Sequence, residues 1–332
     1  MKSYVIYVST VAILLVAIML SLAIGDVSVS ISHIPSLLIY PSNTVESSAL
    51  WDVRIPHIVM AFVIGACLSL AGLVMQTVMQ NQLADPYLLG ISSGANLGAL
   101  LAIVSGVAVA GSMISVGCAA FVGAIIVSLC IMAFARLLKR MDAMTLLLLG
   151  FGINAFVSGI VSLVITLVAD TSKTKSIQFW LLGNLQPLSN SMMLIIAIVL
   201  VISSAFFFFQ SRILDLMLMG QNLSLTMGRS LVNFQRLYII VVSIVVGITV
   251  YASGIIGFVG LVVPQCARIL VGEKHSKLIP LSIVLGGTFL VWADVIGRNL
   301  IPGMSLPIGV AAAACGAPIF CWMLFHQTGG RR

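Results

Sequence analysis

Side chains able to do chemistry are few in this sequence, and they are scattered. Asp294 is the clearest ionisable residue within an apolar segment, and Arg298 follows it one helical turn later. That spacing favours an i, i+4 ion pair. Pumps and proton-coupled carriers usually place ionisable groups within the membrane. Because no Glu, Lys or His lies in the middle of an apolar segment, the sequence argues against a proton relay.

Nucleotide chemistry requires a phosphate-binding loop, in which a glycine-rich backbone and the lysine after it hold the phosphates. No lysine in this chain follows a glycine, and no stretch is polar enough to form a soluble nucleotide-binding domain. We therefore expect no ATPase or other enzyme activity in this chain. If ATP drives the process in which it takes part, a separate subunit must bind the nucleotide.

The cysteines also lack the spacing of a reactive or metal-binding site. Because they lie in apolar segments without any C-x-x-C pair, we interpret them as small apolar side chains in packed helices. We predict no disulfide, no metal site and no cofactor, and we find no common constellation of His, Cys and carboxylates that would indicate a membrane enzyme. The six cysteines are Cys67, Cys118, Cys130, Cys266, Cys315 and Cys321.

The composition indicates whether water or lipid surrounds the protein. Hydrophobic residues make up 61% of the chain and charged residues only 8%, whereas a soluble domain carries about 25% charged residues. So few charges cannot cover a water-facing surface, so lipid must face much of the protein. The net charge of +7 does not indicate nucleic acid, because the basic residues stand singly or in small clusters between apolar runs.

We predict an all-α, polytopic membrane protein that forms one transmembrane domain over residues 1–332. A spanning helix needs about 20 apolar residues. The first apolar run exceeds the length of a signal-peptide core and no A-x-A site follows it, so we expect it to be retained. The ten predicted spans cover approximately residues 4–24, 56–79, 87–106, 112–135, 144–168, 191–210, 237–255, 258–271, 279–297 and 306–325.

The basic residues indicate the orientation of these ten spans, because cytoplasmic segments carry an excess of Lys and Arg. With the N-terminus in the cytoplasm, both termini lie inside, and 12 of the 16 basic residues fall in inside segments. The basic residues then predicted to lie outside are Arg54, Lys173, Lys175 and Arg298.

Glycine spacing indicates where helices approach one another closely. In the third span glycines recur at four-residue spacing, at Gly90, Gly94 and Gly98. We interpret this stripe as packing within the chain rather than as a dimer contact. Glycines at every third position, Gly254, Gly257 and Gly260, predict a tight or broken turn between the seventh and eighth spans.

A series of short motifs follows in order along nearly the whole chain. They are Arg54-Ile55-Pro56-His57, Gln76 to Pro86, Leu89-Gly90-Ile91-Ser92-Ser93-Gly94-Ala95, Phe179 to Gly183, Gly257 to Pro264, Ala293-Asp294 with Arg298, Leu306-Pro307-Ile308-Gly309, and Gly316 to Phe320. This series resembles permeases of the iron-siderophore and cobalamin ABC importer family.

The resemblance implies the membrane-spanning permease subunit of a binding-protein-dependent ABC importer for iron-siderophore, haem or cobalamin-type substrates. It implies a homodimer, or a dimer with a related permease, with the path along the dimer axis. It further implies two cytoplasmic ATP-binding subunits, an extracytoplasmic substrate-binding protein and a location in the bacterial cytoplasmic membrane. An ion- or proton-coupled secondary transporter is the alternative function.

Three residues match positions at which the family docks its binding protein. Arg54 and Arg298 lie on the predicted outer side, where arginine forms bidentate pairs with carboxylates. His57 stands where the family has a second arginine, and a neutral imidazole pairs only weakly. Anchoring at the membrane interface is the alternative role for the two arginines.

The short loop between the second and third spans forms the inner gate in the family, which makes Asn81 and Leu83 candidate gate residues. A polar turn is the alternative. Gln76 and Gln80 share one helix face at four-residue spacing, and they either line the path or form hydrogen bonds between helices. Asn154 on the fifth span has the same two interpretations.

The longest predicted cytoplasmic connection, residues 211–236, is the predicted contact with the ATPase. Its segment 214–228 resembles the family's L-x-L-G-E pattern in relaxed form, with glutamine in place of the glutamate. An amphipathic helix lying on the membrane surface is the alternative. The predicted coupling residues are Leu214, Leu216, Leu218, Gly220, Gln221 and Gly228.

Overall fold

The computed structural model describes residues 2–25, 29–30, 32–40, 44–106, 113–138, 143–168, 177–185, 190–219, 231–301 and 305–329. The elements with assigned bounds in these ranges are all helical. A π-helical turn, Ala49–Arg54, leads into the fourth α-helix, and a 3-10 turn, Pro86–Leu89, precedes the fifth. The α-helices are α1 (Lys2–Ala23), α2 (Ile34–Ile39), α3 (Val45–Ser48), α4 (Ile55–Val78), α5 (Ile91–Val104), α6 (Met113–Leu137), α7 (Ala143–Leu167), α8 (Asn190–Phe209), α9 (Ser211–Leu218), α10 (Val232–Ser253), α11 (Val259–Val271), α12 (His275–Asn299) and α13 (Ile308–Gly329).

Seven helical segments within the described ranges are long and apolar enough to cross a membrane. They lie in α1, in the continuous segment from α3 through α4, and in α6, α7, α8, α10 and α12. Three further apolar helices, α5, α11 and α13, are shorter. These helices coincide with the predicted segments, so the all-helical, polytopic class is confirmed. The count of ten crossings, the orientation of the termini and the single domain over the whole chain stay predictions.

Helix α4 forms the centre of the bundle, because nearly all of its residues from Ile58 to Val78 are buried. It packs antiparallel to α12, and both helices are apolar over most of their length. With 24 residues, α4 is about 36 Å long. Three contacts spaced along the two helices fix their register, namely His57 with Asp294, Gly65 with Gly286, and Thr77 with His275.

The glycines of the third predicted span pack within the chain, which confirms that interpretation. A side chain at Gly94 would collide with the carbonyl oxygen of Gly123, and one at Gly98 with that of Ala119. Both partners lie on α6, so the stripe lets the backbones of α5 and α6 approach closely.

The tight or broken turn predicted between the seventh and eighth spans is also confirmed. Helix α10 ends at Gly254, whose φ of +68° is the left-handed conformation that favours glycine. The chain stays non-helical until α11 begins. The N–H of Asn184 donates to the Ser253 carbonyl at 2.8 Å, and that of Gly309 to the Leu182 carbonyl at 3.1 Å. Three motifs that are distant in sequence therefore meet at this turn.

Candidate functional site

Polar side chains gather at the two ends of the α4–α12 pair, and we name each group after its central residue. The Asp294 cluster consists of Ser21, Arg54, His57, Asp294 and Arg298. The His275 cluster consists of Gln76, Thr77, Gln80, Asp215, Arg268 and His275. The two clusters are separated by approximately the length of α4, so they occupy opposite ends of the bundle.

The Asp294 cluster is organised around one buried carboxylate. Oδ2 of Asp294 lies 2.6 Å from Nη2 of Arg298, and Oδ1 lies 3.4 Å from Nδ1 of His57. Arg298 Nη2 also donates to Oγ of Ser21 on α1 at 2.7 Å. The Asp294 side chain is only 5% exposed, so removing its cation would leave a poorly solvated charge. The i, i+4 pair predicted from the spacing is confirmed.

Arg54 differs from its expected exposed position, because only 4% of the residue is exposed. Its guanidinium donates to the Leu22 carbonyl and packs beside Gly25, where α1 ends. The last carbonyls of a helix lack partners within that helix, so the end of α1 is a favourable acceptor for a cation. Arg54 is therefore not accessible to a docking partner in this structure. The side chains of Arg298 and His57 are 20% and 17% exposed, and docking stays a prediction for all three residues.

The His275 cluster joins three helices through one imidazole ring. Nδ1 of His275 lies 2.7 Å from Oδ1 of Asp215 on α9, and the backbone N–H of His275 donates to the same oxygen at 2.9 Å. Nε2 lies 2.8 Å from Oγ1 of Thr77 in the last turn of α4. A carboxylate oxygen only accepts hydrogen bonds, so Nδ1 carries a proton. The Thr77 hydroxyl also donates to the Leu73 carbonyl at 2.9 Å, so which atom donates in the Thr77–Nε2 bond depends on the protonation of the ring.

The two glutamines near the end of α4 both form hydrogen bonds to other helices. Gln76 Nε2 donates to the Leu261 carbonyl at 3.1 Å, and its Oε1 accepts from the guanidinium of Arg268 on α11. Gln80 Nε2 donates to the Met217 carbonyl on α9 at 2.8 Å. The contacts of Gln76 match its interhelical interpretation. Gln80 lies beyond α4, which ends at Val78, and has a φ of +47°, so the expectation that the two glutamines share one helix face is wrong. Their lining of a translocation path stays a prediction.

The predicted gate loop begins with a compact turn. Asn81 Oδ1 accepts from the N–H of Leu83 at 2.9 Å, and the Asn81 carbonyl accepts from the N–H of Ala84 at 3.0 Å. Gln265 on α11 donates to the Gln82 carbonyl at 2.6 Å. The Leu83 side chain is exposed. The turn is therefore tied to α11 and presents Leu83 outward, while its role as a gate stays a prediction.

The same loop ends at Asp85, which caps the 3-10 turn. Its Oδ1 accepts from the N–H of Tyr87 at 2.8 Å. Burial raises the pKa of Asp85 to about 6, against a smaller lowering by the Tyr87 hydrogen bond. The Tyr87 hydroxyl accepts from the N–H of Ile256 at 3.4 Å. Both ends of the loop are therefore attached to the α10–α11 region.

Helix α9 turns one face to the bundle and the other away from it. Leu214 and Met217 are buried, Leu216 and Leu218 are partly buried, and Arg212 and Met219 are exposed. Leu214 therefore packs against the protein and does not face a partner, which corrects the expectation for that side chain. The predicted coupling residues that lie outside the described part of the chain are Gly220, Gln221 and Gly228.

Asn154 lies on α7, apart from both clusters. Its side chain is partly buried, while several neighbours on α7 are exposed in the single chain. The structure therefore does not bring Asn154 together with the other predicted path residues, and its role stays a prediction.

Sequence reasoning missed the residues that connect α9 to the bundle, namely Thr77, Asp215 and His275. Each lies close to the end of an apolar segment, and although Thr77 and Asp215 fall within segments that resemble the family, the resemblance assigns no role to them. A signal was nevertheless present, because Asp215 and His275 both lie on the predicted cytoplasmic side. An acid and a histidine flanking apolar segments on one side of a membrane are candidates for a pair.

The comparison with known proteins assigns the family. The profile of the FecCD transport family matches residues 13–326. The chain belongs to the FecCD transport family. Together with the several helices able to cross a membrane, this membership makes the protein a multi-pass protein of the bacterial cytoplasmic membrane.

Several named permeases are similar to this chain. The chain is 32% identical to the uncharacterised ABC transporter permease protein YvrB of Bacillus subtilis (strain 168), over 99% of this chain and 96% of that protein. It is 35% identical to a probable iron chelatin transport system permease of Helicobacter pylori (strain 26695), over 85% and 84% of the two chains. Others, at 31% identity, are the hemin permease HmuU of Yersinia pestis, over 86% of both chains, and the vitamin B12 import permease BtuC of Vibrio cholerae, over 86% and 85%.

A solved structure supports the same assignment of the fold. It is a metal-chelate type ABC transporter in an inward-facing conformation, with a TM-score of 0.85 and 26% identity. The match covers 97% of this chain and 99% of that one. The whole FecCD chain therefore has the fold of an ABC transporter permease.

Proposed function

We propose that this FecCD protein is the membrane-spanning subunit of a binding-protein-dependent ABC importer for iron-siderophore, haem or cobalamin-type substrates. The observation that carries the proposal is the match of 85–86% of the chain to permeases named for iron chelatin, hemin and vitamin B12. Among these substrates we rank ferric siderophores first. The path lies along the axis of a dimer, and two separate ATPase subunits supply the energy.

The Asp294 cluster is the proposed docking site for the binding protein. Arg298 and His57 are partly exposed beside a carboxylate, so an acidic residue of a partner can compete with Asp294 for Arg298. Arg54 is covered by the end of α1, so its participation would require that end to move. The orientation that places this cluster outside rests on the distribution of basic residues.

Helix α9 is the proposed contact with the ATPase. Its exposed residues, Arg212 and Met219, lie at the opposite end of the bundle from the Asp294 cluster. A partner that binds there would act on a helix tied directly to α4 by Gln80. Asn81 and Leu83, which follow α4, are the proposed inner gate.

The test is whether an ATPase and a binding protein associate with this chain. The permease should be co-expressed with an ATPase and a binding protein of this importer class, purified in detergent and assayed for ATP hydrolysis. We expect a complex with two ATPases whose hydrolysis is stimulated by the loaded binding protein. A permease that purifies without an ATPase and transports on its own would be a secondary transporter.

A further inference from the structure

Helix α9 is too short to be stable by itself, so its contacts determine where it lies. It has eight residues, whereas isolated helices shorter than about 12–15 residues are marginal in water. Leu214 and Met217 bury its apolar side, but apolar contacts are non-directional and do not fix the position of a helix along its neighbours. Directional hydrogen bonds must therefore fix the position of α9 along its neighbours.

Two directional links connect α9 to the last turn of α4 and to Gln80, which follows that helix. Gln80 donates directly to the Met217 carbonyl at 2.8 Å. The second link is indirect, since Asp215 contacts Nδ1 of His275 at 2.7 Å and Nε2 of the same ring lies 2.8 Å from Thr77 Oγ1. The His275 side chain is fully buried. Its ring therefore forms a connection between two helices without water in between.

Asp215 also fixes α9 to the start of α12. The first N–H groups of a helix lack partners within it, and a negative charge is favourable at that end. Asp215 Oδ1 accepts from the backbone N–H of His275, the first residue of α12, at 2.9 Å. One carboxylate thus caps α12 and orients the ring that reaches α4, so a displacement of α9 acts on both central helices.

We propose that His275 is a positioning residue that transmits movement of α9 to the end of α4 and to the loop that follows it. The inference rests on the proposed function, in which α9 contacts the ATPase and the loop with Asn81 and Leu83 is the gate. With the link intact, α9 and the end of α4 move together. Without it, α9 responds to the ATPase while the loop no longer follows, so ATP hydrolysis continues without transport.

The decisive variant is Thr77→Val, because valine keeps the shape of threonine but cannot bond to Nε2 of His275. Thr77→Ser keeps the hydroxyl and is the conservative rescue. Thr249→Val is the matched control, since Thr249 is equally buried and donates to the Val246 carbonyl of its own helix. His275→Leu removes both bonds of the ring and leaves Asp215 only the backbone N–H at that position.

The measurement is the number of substrate molecules taken up per ATP hydrolysed by the complete complex in proteoliposomes. We expect Thr77→Val and His275→Leu to lower this ratio about tenfold while hydrolysis continues, and Thr77→Ser and Thr249→Val to stay within twofold of the wild type. A Thr77→Val complex whose ratio is within twofold of the wild type would overturn the proposal, even if uptake and hydrolysis both fell. Absence of ATP-dependent uptake by the wild type would overturn the proposed function and this inference with it.

Discussion

Nη2 of Arg298 lies 2.6 Å from Oδ2 of Asp294, one helical turn earlier on α12. The pair links a cation that is partly exposed to a carboxylate that is almost completely buried. Arg298 therefore stabilises the fold and is also the most accessible cation of the Asp294 cluster. A substitution of Arg298 alone affects both properties, so the two must be separated by a second substitution.

The first prediction concerns Arg298→Gln alone and together with Asp294→Asn. The single variant leaves Asp294 without its cation, at a cost between about 1 kcal/mol for exposed pairs and about 3–5 kcal/mol for buried ones. The double variant is neutral, so thermal unfolding should show that most of the lost stability returns. Binding-protein affinity should stay weak in both variants, most clearly at low salt. If the double variant bound the binding protein with wild-type affinity, Arg298 would have only a structural role.

The second prediction concerns the close approach of α4 and α11. A side chain at Gly72 would collide with the backbone carbonyl of Gly260. Because a backbone must move to make room, Gly72→Ala should cost at least about 1–3 kcal/mol and lower the melting temperature of the purified protein. Gly159→Ala on α7 is the control, since an added Cβ there meets open space within the chain. Equal melting temperatures for the two variants would contradict the packing described for α4.

The third prediction concerns the pH dependence of the loop that ends at Asp85. Its pKa is raised from 3.8 to about 6, so the folded protein keeps a proton that the unfolded chain has already lost. Stability contributed by this group therefore falls as the pH rises from about 4 to about 6 and is constant above that window. Asn cannot ionise but keeps the carbonyl that caps Tyr87.

Asp85→Asn should consequently be more stable than the wild type at pH 7, on the order of 1 kcal/mol for this partly exposed group. The difference should shrink towards pH 4. Melting temperatures of both proteins across this range provide the measurement. A difference that does not change with pH would show that folding does not raise the pKa of Asp85.

The fourth prediction tests the surface of α9 that faces the ATPase. In a variant without the six native cysteines, Met219→Cys should form a cross-link with the ATPase because Met219 is 59% exposed. Leu214→Cys is the matched control on the buried side of the same helix and should not react. Cross-links only from cysteines placed in the 136–142 connection would assign the contact to that segment instead.

The helices could be predicted from the sequence because apolar length decides whether a segment spans a membrane. Even the short α11 was recognised, since the glycines before it mark the break. The i, i+4 pair of Asp294 and Arg298 was also predictable, because both residues lie on one helix and its periodicity is known.

The remaining contacts depend on packing between distant segments, which local patterns do not contain. His275 contacts Asp215, which is 60 residues away in the sequence, and Thr77, which is 198 residues away. The burial of Arg54 likewise depends on where α1 ends relative to α4. Spacing predicted that Gln76 and Gln80 share a helix face, but α4 ends at Val78, and the groups that the two side chains contact depend on the positions of α9 and α11.

The central claim is that this chain conducts its substrate only when a separate ATPase hydrolyses ATP. The most direct measurement is uptake of a ferric siderophore, haem or cobalamin into proteoliposomes that hold the permease–ATPase complex, with the loaded binding protein outside. We expect uptake that requires ATP inside the vesicles and persists when an ionophore collapses the proton gradient. Uptake driven by a proton gradient in the absence of ATP would contradict it.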